Sequence, residues 1–374
     1  NFFTEYILDT TPEEDIWVEE QRKKMTDVPQ QAGAAVLALF SCYDSLGNIP
    51  DASVLAEVFD GHAILKPVID LQIGEAIRQS KIKDRIPSAT AIEDSVSEQV
   101  RDMYEAFPYP RWRYLPQNLS RENAEAGVPA RARILVAGCG TGHESATIAK
   151  AFPDADITAI DLSKSSLAYA AARAEDMGLS HVSFAQGDIL RLDPDGEKYD
   201  YIVCTGVLHH MKDPVAGWRA LRNLLKPKGL MRIGLYSEAG RRDIAQARAV
   251  ISSQGYGVTR KDMKAFRRNA ADALPADVLA SLQKRMDYYQ ASMLCDLLFH
   301  VQEHRFDLGQ IRKMLDELAL QHVEMKLQAD GLLTYREKYG ARPFSADLAD
   351  WQKIEEELPD IFRSMYVFWC RAKT

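Results

Sequence analysis

Cysteine is scarce in this chain and never paired in sequence. The five residues Cys42, Cys139, Cys204, Cys295 and Cys370 are odd in number, scattered and free of any CxxC spacing. That pattern suggests neither a disulfide framework nor a cysteine zinc site, and reduced thiols in a cytoplasmic setting are expected. Long apolar runs are missing too. The longest apolar-leaning stretch, Ala32 to Cys42, is far short of the ~20 residues a membrane-spanning helix needs, and the opening residues do not read as a secretory signal. Excess positive charge is absent. Lys and Arg number 46 against 54 Asp and Glu, a net charge of −8 over 374 residues, which argues against blanket nucleic-acid binding. No fixed-period repeat is visible. An initiating methionine is lacking: the chain opens at Asn1, and residues 1–6 read like the middle of a helix, so an upstream part is expected.

What is present is an ordinary globular composition, 46% hydrophobic and 27% charged, in a chain long enough for two to three domains at ~150 residues each. Residues 1–95 are expected to form a helical N-terminal region, with apolar Ala35 to Phe40 and with Val54, Leu55, Val58 and Phe59 at helical spacing. Asp51 or Ser53 is a candidate cap after the Gly47–Pro50 turn. Residues 96–128 contain Phe107-Pro-Tyr-Pro-Arg-Trp-Arg-Tyr-Leu-Pro116, which cannot be regular helix and reads as an aromatic lid or linker. Strands and helices then alternate through 129–237, with strands at 134–137, 157–160, 182–184, 201–204 and 230–236 and a Leu225–Gly229 turn before the last. Alternation of this kind predicts an α/β fold with a largely parallel sheet. Residues 238–318 read as a helical insertion covering a substrate. Residues 319–374 would complete the sheet, ending in the apolar strand Met365–Cys370.

The chemistry concentrates where strands end. Gly138-Cys139-Gly140-Thr141-Gly142 follows the first strand and opens a helix, a place where backbone approaches a ligand and offers free N–H donors. A dinucleotide fingerprint would place a glycine at 143, where this chain has His143. Asp161 ends the second strand, 19 residues beyond Gly142, and can accept from ribose hydroxyls. Gln186-Gly187-Asp188-Ile189 follows the third strand, and Thr205-Gly206-Val207-Leu208-His209-His210-Met211 the fourth. In order and spacing these pieces resemble class I S-adenosylmethionine (SAM) methyltransferases. The segments 104–112, 233–237 and 297–306 resemble more narrowly a bacterial branch often fused to tetratricopeptide repeats, which would precede Asn1.

The resemblance implies a Rossmann-like sheet and SAM as cofactor, leaving S-adenosylhomocysteine. SAM would lie over Gly138, Cys139, Gly140, Thr141 and Gly142, with its ribose at Asp161 and Leu162 and its adenine at Gly187, Asp188 and Ile189. Thr205 and Gly206 would border it. One departure stands out: the acidic residue common two positions before the first loop glycine is Val136 here. His143 and Glu144 are candidate replacements, or simply a solvated helix start.

Methyl transfer requires an acceptor held in line with the methyl, and a base only if the acceptor is protonated. His209, His210 and His300 are the candidate bases or positioning groups. Tyr104, Tyr109, Arg111 and Tyr236, with Asp296, Glu303 and His304, are candidates for the acceptor pocket. At helical spacing Asp296, His300, Glu303 and Asp307 share one face, and Leu294, Leu297, Leu298 and Val301 the other. This face either lines the pocket, meets solvent, or holds a metal through the H-x-x-E-H order of 300–304; no resident metal is expected. The basic run Arg260, Lys261, Lys264, Arg267 and Arg268 gives 237–285 ten basic against five acidic residues. It would form a solvated face or attract an acidic partner. The expected activity is methylation of an oxygen or nitrogen on an enclosed small molecule or on a peptide or protein side chain. The alternatives are a SAM-binding regulatory or scaffold protein without turnover and, more distantly, a nicotinamide oxidoreductase.

Overall fold

The computed structural model describes residues 4–117, 119–363 and 365–373, apart from the side chain of Gln30. Its contacts divide the chain into two compact units, one of residues 1–85 with 246–299 and one of 86–245 with 300–374. The stretch read as a single helical insertion, 238–318, is therefore split between them.

The first unit is helical. The helix Pro12–Asp27 starts with a reciprocal cap in which Thr11 accepts from Glu14 N–H and Glu14 accepts from Thr11 N–H. Its residues Val18 and Met25 join Leu37, Phe40, Leu46, Ile49, Leu55, Phe59, Leu65, Ile69 and Ile73 in one apolar core. Asp51 precedes the helix Ala52–Val58, yet its backbone is left-handed and its side chain makes no capping bond. The expected helix across residues 1–6 is not found at its described end, because Glu5 and Tyr6 have φ of 53° and 61°; Asn1, Phe2 and Phe3 lie outside the described residues. Glu5 instead accepts hydrogen bonds from Ser292 N–H and Oγ–H. The basic run falls on the helix Arg260–Ala273, and two of its five residues have partners among the described residues. Arg267 lies over the rings of Tyr288 and Tyr289 and donates to Tyr288 O, and Arg268 pairs with Asp9.

The second unit is built on a sheet. Among the described residues the strands are β1 (Arg133–Ala137), β2 (Asp156–Asp161), β3 (Val182–Gln186), β4 (Tyr199–Thr205), β5 (Leu225–Tyr236), β6 (Leu320–Lys326) and β7 (Met365–Ala372). Their order is β3-β2-β1-β4-β5-β7-β6. β1 to β5 pair in parallel, whereas β7 runs antiparallel to both β5 and β6. Ile134 to Ala137 are all buried, as a strand covered on both faces requires. The expected turn at 225–229 is absorbed into β5, where the register with β4 shifts between Tyr199 and Tyr201.

The helices α1 (Ser95–Ala106), α2 (His143–Ala151), α3 (Lys164–Asp176) and α4 (Pro214–Asn223) belong to this unit. Strand order reverses between β1 and β4, and ligands of open α/β sheets sit beyond the carboxyl ends of strands at such a point. Residues 86–93, expected within the helical N-terminal region, are not helical. Pro87 interrupts the helical pattern, and the chain instead lies along the free edge of β3: Gln186 N–H donates to Pro87 O at 2.8 Å and Ala89 N–H to Gln186 O at 2.7 Å.

Candidate active site

The glycine loop is shaped by what surrounds it. Gly138, Gly140 and Gly142 all have positive φ, a conformation other residues rarely hold. A Cβ on Gly140 would stand 2.8 Å from Tyr109 O, and one on Gly142 2.6 Å from Ala170 Cβ. The first contact shows that the Pro-rich segment is fastened to the loop. Trp112 Nε1–H donates to Thr141 O at 2.9 Å, the Thr141 hydroxyl donates to Pro110 O, and the Tyr169 hydroxyl donates to Trp112 O. Trp112 is accordingly buried, while Arg111 is exposed.

Asp161 closes β2 and faces this loop. Its Oδ2 accepts from Gly140 N–H at 2.8 Å and its Oδ1 from Ser163 N–H at 2.9 Å. Burial raises its pKa to about 6 against these two stabilising bonds, and the charge of Glu105 adds to the rise. Glu105 itself accepts from Ser165 N–H and Oγ–H. Leu162 O accepts from the Gln186 side chain.

Asp188, beyond the end of β3, is 2% exposed. Its Oδ1 accepts from Leu190 N–H, but its Oδ2 is buried with no hydrogen-bond partner among the described residues. A buried carboxylate oxygen left unbonded is costly, and an N–H of a bound base would satisfy it. Next to it in sequence are Gly187 and buried Ile189. Thr205 ends β4, and Gly206 follows at φ 80°.

The Val136 departure meets a different answer from either expectation. His143 has its ring edge-on to Trp112, and burial lowers its pKa. Glu144 is not a solvated helix start: it forms an ion pair with Arg232 of β5, whose other partner is Glu125 at 3.3 Å. Burial works against the Arg232 charge, but Glu144, Tyr201 and Glu125 outweigh it and hold its pKa above the ordinary value.

Past β4 and β5 the rings form a column. His209 stacks on Tyr236 with centroids 3.6 Å apart, His210 stacks on His300 at 3.5 Å, and Tyr104 meets His300 edge-on at 5.6 Å. The Arg241 guanidinium lies 3.6 Å from the Tyr236 ring centre and is held bidentately by Glu303. Arg241 and Glu303 side chains are 2% and 1% exposed, so this is a buried pair with fork geometry. His209 is fully buried, and neither ring nitrogen has a hydrogen-bond partner among the described residues. Burial, then the neighbouring His210 and Arg241, push its pKa well down, leaving a neutral ring.

Residues 300–307 do not continue a helix. The chain leaves helical geometry after Phe299, so the expected two-faced helix ends there and Val301, placed on its apolar face, is exposed. The reason is tertiary: His304 N–H donates to His209 O at 2.7 Å, and Phe306 N–H to Tyr236 O at 2.9 Å. Gln302 O accepts from His210 Nδ1–H at 2.7 Å, while Gln302 N–H donates to His300 Nδ1 at 3.1 Å. The backbone of one residue, Gln302, thus sets opposite tautomers in the two stacked rings through its N–H and its carbonyl, with the proton on Nδ1 in His210 and on Nε2 in His300. Glu303 is committed to Arg241, and the His304 ring accepts from the Gln302 amide at 2.9 Å, so the H-x-x-E-H order does not present a metal-ligand face. Asp296 belongs to the helical unit, within the π-helical turn Cys295–Phe299.

Tyr109, by contrast, contributes its carbonyl to the glycine loop. Sequence reasoning missed Arg241, for which no local signal exists, and Thr90, whose hydroxyl accepts from Asp188 N–H. The helix-breaking Ile86-Pro87 pair was the signal that could have found the second.

A family model described as a methyltransferase domain matches residues 130–317. An uncharacterised protein of Synechococcus sp. is 31% identical over 63% of this chain and 61% of its own length. The malonyl-[acyl-carrier protein] O-methyltransferase of Halalkalibacterium halodurans is 40% identical over 31% of this chain and 43% of its own. The chain thus spans less than two thirds of these relatives. Among solved structures, PKMT2 from Rickettsia typhi in complex with AdoHcy aligns over 66% of this chain and 49% of that one, with 17% identity and a TM-score of 0.49. With half of its residues matched, and with the glycine loop, Asp161 and Asp188 all inside the match, this chain belongs to the methyltransferase domain family.

Proposed function

We propose that this chain binds SAM and transfers its methyl group to an oxygen or nitrogen acceptor. One juxtaposition carries the reading: beyond β1, β2 and β3 stand a positive-φ glycine cradle, a carboxylate facing it, and a buried Asp188 Oδ2 with no donor among the described residues. These fit a nucleoside with ribose hydroxyls and an exocyclic amino group. When bound, SAM supplies an electrophilic methyl on a sulfonium, so the protein's tasks are positioning and exclusion of water. Asp161 and Leu162 would receive the ribose, and Gly187, Asp188 and Ile189 the adenine. Gly138 to Gly142 would pass beneath the cofactor, with Thr205 and Gly206 at its border. Tyr104, Tyr236 and His300 would orient the acceptor, and His210, with Nδ1–H fixed by Gln302 O, would take its proton at Nε2. His209, buried and neutral, acts by supporting Tyr236. Arg241 and Glu303 brace the same ring, and His304 anchors residues 300–307.

An oxygen acceptor is favoured by two relatives named O-methyltransferases, which match 31% and 26% of this chain. Whether it sits on a small molecule or on a peptide or protein side chain, and whether the chain belongs to the repeat-fused branch that segments 104–112 and 297–306 resemble, are parts of the same proposal. A cytoplasmic location is supported by five free cysteines; no described helix is long and apolar enough to cross a membrane.

The test is calorimetry with S-adenosylhomocysteine, followed by methyl-labelled SAM in extract of the native host. Saturable binding and label in either the small-molecule or the protein fraction support the reading. Binding without label in any fraction leaves a SAM-binding protein without turnover. No binding overturns it.

A further inference from the structure

The segment 86–93 is clamped to the turn that carries Asp188 at three successive points. Gln186 exchanges two backbone hydrogen bonds with Pro87 and Ala89. The Thr90 hydroxyl oxygen accepts from Asp188 N–H at 2.7 Å and donates its proton to Ala91 O at 3.1 Å. Glu93 pairs with Arg191, three residues past Asp188. The middle clamp differs in kind from the others. It is a side chain that holds the backbone of the residue whose carboxylate is buried and only half satisfied.

We propose that Thr90 is a positioning residue for the cofactor's base, acting through Asp188. The inference rests on the SAM-binding reading above and adds the origin of base selectivity. Asp188 Oδ1 is spent on Leu190 N–H. The direction of Oδ2 is therefore set by where the Asp188 backbone sits, and the Thr90 hydroxyl fixes that point. Gly187 leaves the place open: a Cβ there would meet Thr90 Oγ1 and the Ile160 side chain at 3.8 Å, ordinary contact. Without the Thr90 oxygen, Asp188 N–H loses its acceptor, and the turn is free to shift until water or another group satisfies it. Oδ2 then no longer meets an exocyclic amino group squarely. A base that offers a carbonyl oxygen at that position would be repelled by a correctly aimed carboxylate and less repelled by a displaced one.

Calorimetry would compare S-adenosylhomocysteine with S-inosylhomocysteine, in which a carbonyl replaces the amino group, on wild type, Thr90→Val and Thr90→Ser. The expected result is strong preference for the adenine ligand in wild type. Val, of equal shape, lowers adenine affinity roughly fivefold to tenfold and compresses the ratio of the two ligands, and Ser restores it. A merely structural role would weaken both ligands alike. An unchanged ratio in Thr90→Val, with wild-type selectivity intact, overturns the inference alone. Failure of wild type to bind either ligand overturns the SAM-binding reading and the inference with it. Should Thr90→Val not fold, Thr90→Ala carries the same comparison.

Discussion

Asp161 is the residue on which pH should act. Its folded pKa of about 6 lies above the ordinary value of 3.8 because burial disfavours its charge. The ligand-free fold therefore holds the proton more tightly than the unfolded chain does. The associated stability is fully present below pH 3.8 and is lost as pH rises through about 6. Ribose hydroxyls donate to the ionised carboxylate, so binding has the opposite trend. Affinity for S-adenosylhomocysteine should rise roughly tenfold from about pH 5 to pH 7 and then level off. Titration calorimetry across that range checks this, and Asp161→Asn should show a weak, flat profile; a steep profile in that variant would assign the effect elsewhere. Arg232 makes the second residue-scale prediction. Replacing it with Met leaves the buried Glu125 without its cation, while the half-buried Glu144 can turn to water, which should cost about 3 kcal/mol in denaturant unfolding. A loss below ~1 kcal/mol would show that the carboxylates are hydrated or protonated instead.

Among the elements, the Pro-rich strap is held by side chains that reach the glycine loop rather than by a ladder of its own. Trp112→Ala removes both the indole donor to Thr141 O and the ring against His143. Limited proteolysis should then cut within residues 107–117 faster than it does in wild type. Equal cleavage rates in the two proteins would mean that the remaining bonds at Tyr109 and Pro110 suffice. The elements differ in how far the sequence reveals them. β1 to β5 and the helices between them each carry a local apolar run, so their order and the cradle after β1 could be read directly. For residues 86–93 the Ile86-Pro87 pair signals only a break in the helix, because the partner that makes them extended, β3, lies 98 positions away at Ser88 and Gln186. Residues 300–307 have good helical spacing on paper. Their backbone groups are claimed by His209 O, His210 and Tyr236 O, and tertiary bonds override a weak local preference. The missing acid at Val136 pointed to Glu144, but nothing local shows that Arg232, 88 positions on, takes that carboxylate.

At the scale of the whole molecule, each unit is assembled from distant parts of the chain. Residues 246–299 belong to a unit whose other part is 1–85, with Glu5 capping Ser292 and Asp9 pairing with Arg268. Deleting 1–85 should therefore abolish slow hydrogen exchange in 246–299 while β1 to β5 stay protected; unchanged exchange across 246–299 would show that those helices need no such partner. The position of β7 has a consequence for synthesis on the ribosome. Of the seven described strands, the one made after the other six lies inside the sheet, between β5 and β6. At ~5–20 residues per second, the nascent chain carries β5 with one open edge, and β6 with no ladder to join, until residues 365–372 emerge. That open edge runs along Leu230 to Tyr236, every residue of which is buried in the finished fold. A stalled or truncated product ending before Met365 would display it to its neighbours, a ready template for strand pairing between chains.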